Sequence, residues 1–437
     1  MTRKSPVYLL CAPNIGVIGA WLPVLRELHD LDPERKIKCL LTKPTILNTV
    51  NPTTQTSQLF DQIVFEILVQ TSPGKWVRFP SLAEATRRVG TISLKAACDR
   101  ITLGMPLALA HLLDGVTVHL RNKLLAYKLA RLPSTDVEID PAGVLLYDIA
   151  EESKHYNIDV LRKVADCRKF SASHGLILRQ EDELPDDLEA PQARHDVTVF
   201  GLSNLEIRYY AKRYGIGERH FINIGVFRHD PAWFDYALSR ENEPEWSDAV
   251  LVISRPSASY FPLQRKRRAY KAIKEVLIEK AGRRVVVQQH PKEMATNLIR
   301  STLGAAIEND KWMFADNHFA KLAESCDFAV CFFSGLSIDL LAQGVVTIEF
   351  LDLRGLPEYD NNDAARDETG APMLSYRQNK VVFGVNSPEE LDVMYTRLSN
   401  QEPMFDSEAL HTRYLALFAN PHGSIKRAAT LIGEKNV

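Results

Sequence analysis

Two polar clusters in the second half of the sequence have residue types that bind phosphate. His290 and Lys292 come directly after the apolar run R-V-V-V-Q-Q, and Ser334, Gly335 and Ser337 follow the apolar run D-F-A-V-C-F-F. An imidazole can donate a hydrogen bond to a phosphate oxygen, and an ammonium group adds positive charge. Hydroxyls and free N–H groups at a helix start also attract anions. The alternatives are a solvent-exposed histidine and an ordinary serine N-cap.

His174 is the candidate for a general base in the first half of the sequence. It follows a short apolar run and precedes Gly175, which permits close approach of another group. Because a histidine titrates near neutral pH, it can take a proton from an acceptor hydroxyl. Asp148, at the end of the run G-V-L-L-Y, is the rival for that role. A partly buried histidine with satisfied hydrogen bonds is the structural alternative.

The elements that must position these residues are parallel strands. In residues 249–349, three β-branched runs are separated by helix-length segments, and the first run ends in Ser254 and Arg255. Parallel sheets bind ligands at the carboxyl ends of their strands. We therefore expect Ser254 and Arg255 to join His290 and Ser334 in one phosphate site. Glu349 is the expected contact of the nucleotide or its ribose.

The first half of the sequence predicts a second α/β sheet, because it also alternates apolar runs with helical patterns. A tight turn with Asn14, Gly16 and Gly19 follows its first run. The G-x-G-x-x-G spacing of a dinucleotide loop is absent. We expect an acceptor-side loop, whose small residues let a ligand or the opposite domain come close.

Length and composition favour two domains. A chain of 437 residues exceeds what one core usually supports, and the polar segment E-N-E-P-E-W at 241–246 is the best linker. The predicted division is residues 1–240, 247–420 and a closing helix at 421–437. The net charge of −2 gives no argument for a nucleic-acid partner.

Several reaction classes lack their sequence motifs. H-E-x-x-H, G-x-S-x-G and Walker A patterns are absent, which argues against a zinc protease, a serine hydrolase of the usual sort and a P-loop ATPase. No D-x-D pair follows a predicted strand, so the sequence predicts no metal site. No cofactor is predicted either.

Residues 108–132 have two interpretations. This segment carries Arg121, Lys123, Lys128 and Arg131 among leucines. The first is a surface helix whose apolar stripe packs on the core. The second is a basic amphipathic helix that contacts anionic lipid or a lipid-linked acceptor. The apolar run at the N-terminus is too short to span a bilayer. We expect a cytoplasmic protein, with peripheral contact at the inner membrane face as the second interpretation.

The motifs resemble those of a known family. The sequence is similar to the two-Rossmann-domain (GT-B) glycosyltransferases of bacterial surface polysaccharide biosynthesis. The closest resemblance is to the group of CDP-glycerol glycerophosphotransferases, capsule Kdo transferases and bacterial sialyltransferases. His290-Pro291 resembles their phosphate-binding His-Pro pair, and Ser334 with Ser337 resembles their serine pair, here split as S-G-L-S. His174-Gly175 resembles the catalytic His-Gly of the glycerophosphotransferases.

This resemblance implies two Rossmann-like domains facing a cleft, with a C-terminal helix that crosses back to the first domain. It also implies a metal-independent transferase that acts in capsule or cell-envelope biosynthesis. Such an enzyme moves a sugar or glycerophosphate from a CMP-, CDP- or UDP-type donor to a hydroxyl of a polysaccharide or glycolipid.

Two alternatives stay open. Non-hydrolysing UDP-N-acetylglucosamine 2-epimerases share the fold, although Arg354 and Glu358 match their catalytic set only loosely. The other alternative is a non-catalytic Rossmann-like binding subunit.

Overall fold

Two sheets of mainly parallel strands, with helices packed against them, form the molecule. The computed structural model describes residues 5–11, 16–48, 50, 54–90, 107–151, 157–176, 178, 196–240, 242, 244–290, 293, 296–315, 319–356, 364–366, 370 and 372–434. Asn14 and Lys292 lie outside the described residues.

The first sheet has eight strands. They are β1 (Val7–Cys11), β2 (Ile37–Leu41), β3 (Glu66–Ser72), β4 (Lys75–Phe79), β5 (Val144–Tyr147), β6 (Arg168–Ala172), β7 (Thr198–Gly201) and β8 (Phe221–Asn223). Their spatial order is β4-β3-β2-β1-β5-β6-β7-β8, and only β4 runs antiparallel to its neighbour. The order reverses between β1 and β5, which is the point where doubly wound sheets open a crevice for ligands.

The second sheet repeats this arrangement with six parallel strands. They are β9 (Ala249–Ile253), β10 (Val285–Gln288), β11 (Trp312–Ala315), β12 (Cys326–Cys331), β13 (Val346–Phe350) and, after two short strands, β16 (Phe383–Val385). The spatial order is β11-β10-β9-β12-β13-β16, with the reversal between β9 and β12. The two short strands, β14 (Ala364–Arg366) and β15 (Pro372–Leu374), pair with each other.

Fifteen α-helices lie within the described residues. Those before the second sheet are α1 (Gly16–Leu31), α2 (Gln55–Ile63), α3 (Leu82–Val89), α4 (Leu107–Ala130), α5 (Ile158–Lys163), α6 (Asn204–Tyr214) and α7 (Pro231–Leu238). Those that follow are α8 (Leu263–Ala272), α9 (Thr296–Leu303), α10 (Phe319–Ser325), α11 (Leu336–Ala342), α12 (Ser375–Gln378), α13 (Pro388–Ser399), α14 (Ser407–Leu417) and α15 (Ser424–Gly433). A π-helix, Ile273–Lys280, continues α8.

Local sequence signals explain where several helices begin. Ser387 caps α13 by accepting a hydrogen bond from the Glu390 N–H, and Pro388 takes the first helical position, as the pattern S-P-E-E predicts. Ser203 caps α6 in the same way. The apolar run at residues 62–69 predicts a strand over that range. The strand begins only at Glu66, because Gln62 and Ile63 belong to α2.

The C-terminal helix crosses back to the first domain, as the resemblance implied. Ile425, Ala428 and Ile432 of α15 are buried in the core that also contains Trp21 of α1. Gly225 follows β8 with φ 86°, and a Cβ there would lie 3.0 Å from the Asn420 carbonyl oxygen. Only glycine allows this close approach without strain.

The two sheets therefore confirm the predicted class of two Rossmann-like domains facing a cleft. The boundaries at residues 240, 247 and 421 stay predictions. Within the described residues, no helix is both long enough and apolar enough to span a bilayer.

Candidate active site between the two sheets

His174 and Asp148 come together at the ends of neighbouring strands. Asp148 follows β5 and is 1% exposed, whereas His174 follows β6 and is partly exposed. The His174 N–H donates to Asp148 Oδ2 at 3.0 Å, and His174 Nδ1 pairs with the same oxygen. Asp148 Oδ1 accepts from the Ala150 N–H at 2.9 Å. Asp148 thus orients the imidazole, and Nε2 is the nitrogen that would take a proton from a substrate.

A second carboxyl group lies behind this pair. Glu206, in the first turn of α6, is buried, and its Oε2 accepts from the Leu202 N–H at 2.8 Å. Burial raises the pKa of Glu206 to about 8, and the charge of nearby Asp148 adds to the rise. At neutral pH, Glu206 is therefore mostly protonated.

On the second sheet, Ser254 connects the loops after β9 and β10. Its hydroxyl accepts from the His290 N–H at 3.1 Å and donates to Glu293 Oε2 at 3.3 Å. Ser254 is almost completely buried, whereas His290 is partly exposed. Ser254 therefore fixes the backbone at His290, and the imidazole is the group with access to a ligand.

A buried ion pair supports these loops. Lys266 of α8 and Glu293 are both fully buried and in contact, and Lys266 Nζ also donates to the Arg255 carbonyl oxygen at 2.7 Å. Burial lowers the pKa of Lys266, and Glu293 opposes this only in part. The basic composition of the run R-K-R-R predicts a solvated face. This prediction is correct for Arg267 and Arg268, which are exposed, but wrong for Lys266.

Arg255 reaches the loop that follows β12. Its Nη1 donates to the Phe333 carbonyl oxygen, and its guanidinium lies 5.2 Å from the Tyr260 ring centroid and 5.3 Å from that of Phe333. Phe333 has φ 63°, a left-handed conformation that is uncommon for an aromatic residue and that clusters at functional sites. Ser334 and Gly335 follow this strained residue, and the Phe333 ring packs 4.7 Å from that of Tyr376.

Two predicted site residues lie below the surface. The Ser337 hydroxyl is fully buried and donates to Cys331 Sγ at 3.2 Å. Glu349 is also fully buried, and Arg377 Nε donates to its Oε2 at 2.7 Å. In this arrangement neither side chain can contact a ligand directly. Gly16 is the first residue of α1.

One connection between the two sheets involves residues that the sequence did not single out as a pair. Asp339 Oδ1, on α11, accepts from Arg228 Nε at 2.6 Å and from His229 Nε2 at 2.5 Å. Arg228 Nη1 also makes a long hydrogen bond, 3.4 Å, to the His174 carbonyl oxygen. The position of Asp339 shortly after Ser334 and Ser337 predicts only local helix capping. No sequence pattern links it to Arg228 and His229, which lie 111 and 110 positions away.

Comparison with known proteins identifies the architecture. No protein-family model matches the sequence, and no curated protein matches it significantly. The wall teichoic acid polymerase TagF, in a variant soaked with CDPG, aligns with TM-score 0.53 and 11% identity over 98% of this chain and 88% of its own. TagF in another structure gives TM-score 0.52. MnaA from S. aureus with UDP aligns with TM-score 0.50 and 9% identity over 98% of this chain and 96% of its own. At such low identity the similarity concerns the fold.

The chain has a two-domain GT-B-like fold. Both sheets reverse strand order at a point flanked by predicted site residues, with Asp148 after β5, Ser254 after β9 and Ser334 after β12. The structure therefore brings predicted site residues to the strand ends at both reversals, and their role as a site stays a prediction.

The buried pair of Lys266 and Glu293 predicts a large stability effect. Lys266→Met leaves the Glu293 carboxyl group buried without its cation and should reduce the free energy of unfolding by about 3–5 kcal/mol. Urea denaturation measures this. Replacing both residues by apolar ones should recover most of the loss. Arg267→Met, at an exposed neighbouring position, is the control and should stay within about 0.5 kcal/mol. Equal losses for the two single variants would contradict the assigned burial.

Glu206 predicts a pH-dependent stability. Its pKa is about 8 in the folded protein and ordinarily 4.5, so the stability it supports is complete below pH 4.5 and is lost as pH rises towards 8. Glu206→Gln keeps a neutral side chain and avoids this loss. The variant should therefore gain stability relative to the unaltered protein between pH 5.5 and pH 8, by about 2–4 kcal/mol. Glu218→Gln, at an exposed position, should show no such trend, and a flat difference for Glu206→Gln would refute the assignment.

Proposed function

We propose that the protein is a nucleotide-sugar-dependent glycosyltransferase, or a related glycerophosphotransferase, of cell-envelope polysaccharide biosynthesis. The observation that carries the proposal is the pairing of His174 with buried Asp148 on one sheet, opposite the loops around His290 and Ser334 on the other. The donor would be of CMP, CDP or UDP type, and the acceptor a hydroxyl of a surface polysaccharide or glycolipid such as those of capsules. The proposal places the enzyme in the cytoplasm.

In the proposed reaction, Asp148 holds the imidazole of His174 through Nδ1 and stabilises its protonated form. Nε2 takes the proton of the acceptor hydroxyl while the hydroxyl oxygen bonds to the reacting centre of the donor. At the same time, the bond between that centre and the nucleotide phosphate breaks. The electron pair of that bond leaves with the phosphate, whose new negative charge needs stabilisation. This chemistry requires no metal ion, and we propose a metal-independent reaction.

On the donor side, the groups proposed to hold the phosphates are His290, Lys292, Arg255 and the Ser334–Gly335 loop. Charge-assisted hydrogen bonds from imidazole, ammonium and guanidinium groups are about twice as strong as neutral ones. Ser254, Ser337 and Glu349 would support the loops from beneath, because their side chains are buried. The turn with Asn14 and Gly16 stays the proposed acceptor-side loop.

The comparisons support a nucleotide-activated donor. TagF was soaked with CDPG and MnaA was studied with UDP, and both have folds similar to that of this chain. An epimerase like the UDP-N-acetylglucosamine 2-epimerases would turn over UDP-N-acetylhexosamine without an acceptor. A binding subunit without catalysis would tolerate replacement of His174. A turnover assay without acceptor and the variants below together distinguish all three.

Replacing the two histidines should separate binding from turnover. His290→Ala removes a hydrogen-bond donor to the phosphate and should weaken CDP or UDP binding about tenfold, as measured by calorimetry. His174→Ala should leave that affinity unchanged and lower turnover by about 10²–10⁴-fold. His119→Ala, an exposed residue of α4, is the control for both measurements. Unaltered binding and turnover in both site variants would refute the proposed site.

Contact with a membrane through residues 108–132 is also part of the proposal. Along α4, Val116, Leu120, Leu124 and Tyr127 are exposed at helical spacing, and Tyr127 is 56% exposed. Thr117, Arg121, Leu125 and Leu129 of the same helix are buried and seat it on the first domain. An apolar stripe that remains outside after the helix has packed fits the headgroup region of a bilayer.

The charges at the end of α4 favour an anionic surface. Lys123 and Arg131 are exposed, and the Arg131 guanidinium lies 4.8 Å from the Tyr127 ring centroid. Each basic group near an anionic membrane contributes about 1 kcal/mol of attraction. Such contact would hold the enzyme at the surface that carries a lipid-linked acceptor.

Vesicle sedimentation can test this contact. The double variant Leu120→Ser/Leu124→Ser should bind phosphatidylglycerol vesicles at least tenfold more weakly than the unaltered protein, because two apolar side chains are lost from the stripe. Val393→Ser, at a position of α13 that is 59% exposed, is the matched control and should bind normally. Absence of binding by the unaltered protein, or equal effects of both replacements, would refute the membrane contact.

A further inference from the structure

Asp339 connects the proposed donor loop, Ser334–Gly335, to the first domain. It lies in the first turn of α11, the helix that begins directly after Ser334 and Gly335, and it is 1% exposed. One of its oxygens, Oδ1, accepts from both Arg228 and His229, which come from the segment between β8 and α7. Its location is thus set by the two domains together.

The electrostatics identify Arg228 as the charged partner in this group. Burial by itself would raise the pKa of Asp339, but Arg228 and His229 outweigh it and hold the pKa below its ordinary value. Burial lowers the pKa of His229, so its imidazole is neutral and pairs with Tyr414 Oη at 2.8 Å through Nδ1. The ion pair whose loss would leave a buried charge without its partner is therefore that of Arg228 with Asp339.

Arg228 also reaches the segment that carries the base. Its Nη1 donates to the His174 carbonyl oxygen, while Asp148 holds the N–H and the ring of the same residue. Two residues on, the Leu176 carbonyl oxygen accepts from Tyr376 Oη at 3.4 Å, and Leu176 is buried in the core of the second domain. The base is thus held by its own domain on one side and by the donor domain on the other.

We propose that Arg228 is a positioning residue, anchored by Asp339, that aligns His174 with the donor loop. This inference rests on the proposed function. Asp339, the anchor, lies on α11, the helix that follows the donor loop. Displacement of α11 would therefore also disturb the contact between Arg228 and the His174 carbonyl oxygen. Because misplacement of a reacting group by about 1 Å can reduce a rate about 10²-fold, the pair should affect turnover far more than donor binding.

The test compares turnover with nucleotide affinity. Arg228→Gln should reduce kcat by about 10–100-fold and leave the Kd for CDP and UDP within about twofold. Arg228→Lys should be intermediate, because an ammonium can pair with Asp339 but lacks the planar fork that reaches two acceptors. Guanidinium ion at concentrations well below denaturation should restore part of the turnover of Arg228→Ala. Arg208→Gln, an exposed arginine on α6, is the control with unaltered kcat.

Parallel losses of affinity and turnover would overturn the positioning role, as would an unaltered kcat in Arg228→Gln. Hydrogen exchange separates this outcome from failure of the proposed function. If the unaltered protein neither binds nucleotide nor turns it over, the function fails, yet Arg228→Gln should still accelerate amide exchange at residues 172–176 and not in β9 or β12. Unchanged exchange there would overturn the inference independently of any activity.

Discussion

The two reversals of strand order, between β1 and β5 and between β9 and β12, are the constraint on which the rest of the structure depends. At each reversal the connecting segments leave the sheet towards opposite faces, so the strand ends stay uncovered. His174 and Asp148 lie on one side of the resulting cleft, and Ser334 lies on the other. Each sheet by itself offers half of the proposed site, and the proposed chemistry would require both halves in register.

Buried charges hold these strand ends in place. Lys266 with Glu293 lies under the loops after β9 and β10, and Arg377 with Glu349 lies under the end of β13. Removing such groups from water costs several kcal/mol for each ion, which their mutual attraction offsets only when the geometry is good. Apolar residues could fill the same space with less desolvation. Lys266 and Arg377, however, also donate hydrogen bonds to backbone carbonyl oxygens. These hydrogen bonds fix the conformations of loops that have no regular secondary structure, which apolar residues could not do.

The sequence predicted the fold because the fold depends on local patterns. The position of the site rests on the same patterns and stays a prediction. Apolar runs followed by polar residues located the ends of β9, β10 and β12, and the same logic located His174. The direction of individual side chains depends on packing that local patterns do not contain. Ser337 and Glu349 are polar residues near a strand end, yet they point into the core.

Tertiary contacts account for what the sequence could not provide. Lys266 belongs to a basic run whose pattern does not show which member is buried, because contacts with Glu293 and the Arg255 carbonyl oxygen determine the buried face of α8. Arg228 and Asp339 meet only after both domains have formed. The position of Glu206 at a helix start can be predicted from the sequence, because Ser203 and Glu206 have the S-x-x-E spacing of a capping box.

The return of α15 to the first domain affects how the protein can be made. Ile425, Ala428 and Ile432 complete a core whose other members are translated much earlier. During synthesis the first domain therefore exposes the apolar face of α1 while the second domain emerges. Folding of the first half is thus not finished when its own residues leave the ribosome, and this face is a surface for a chaperone to protect.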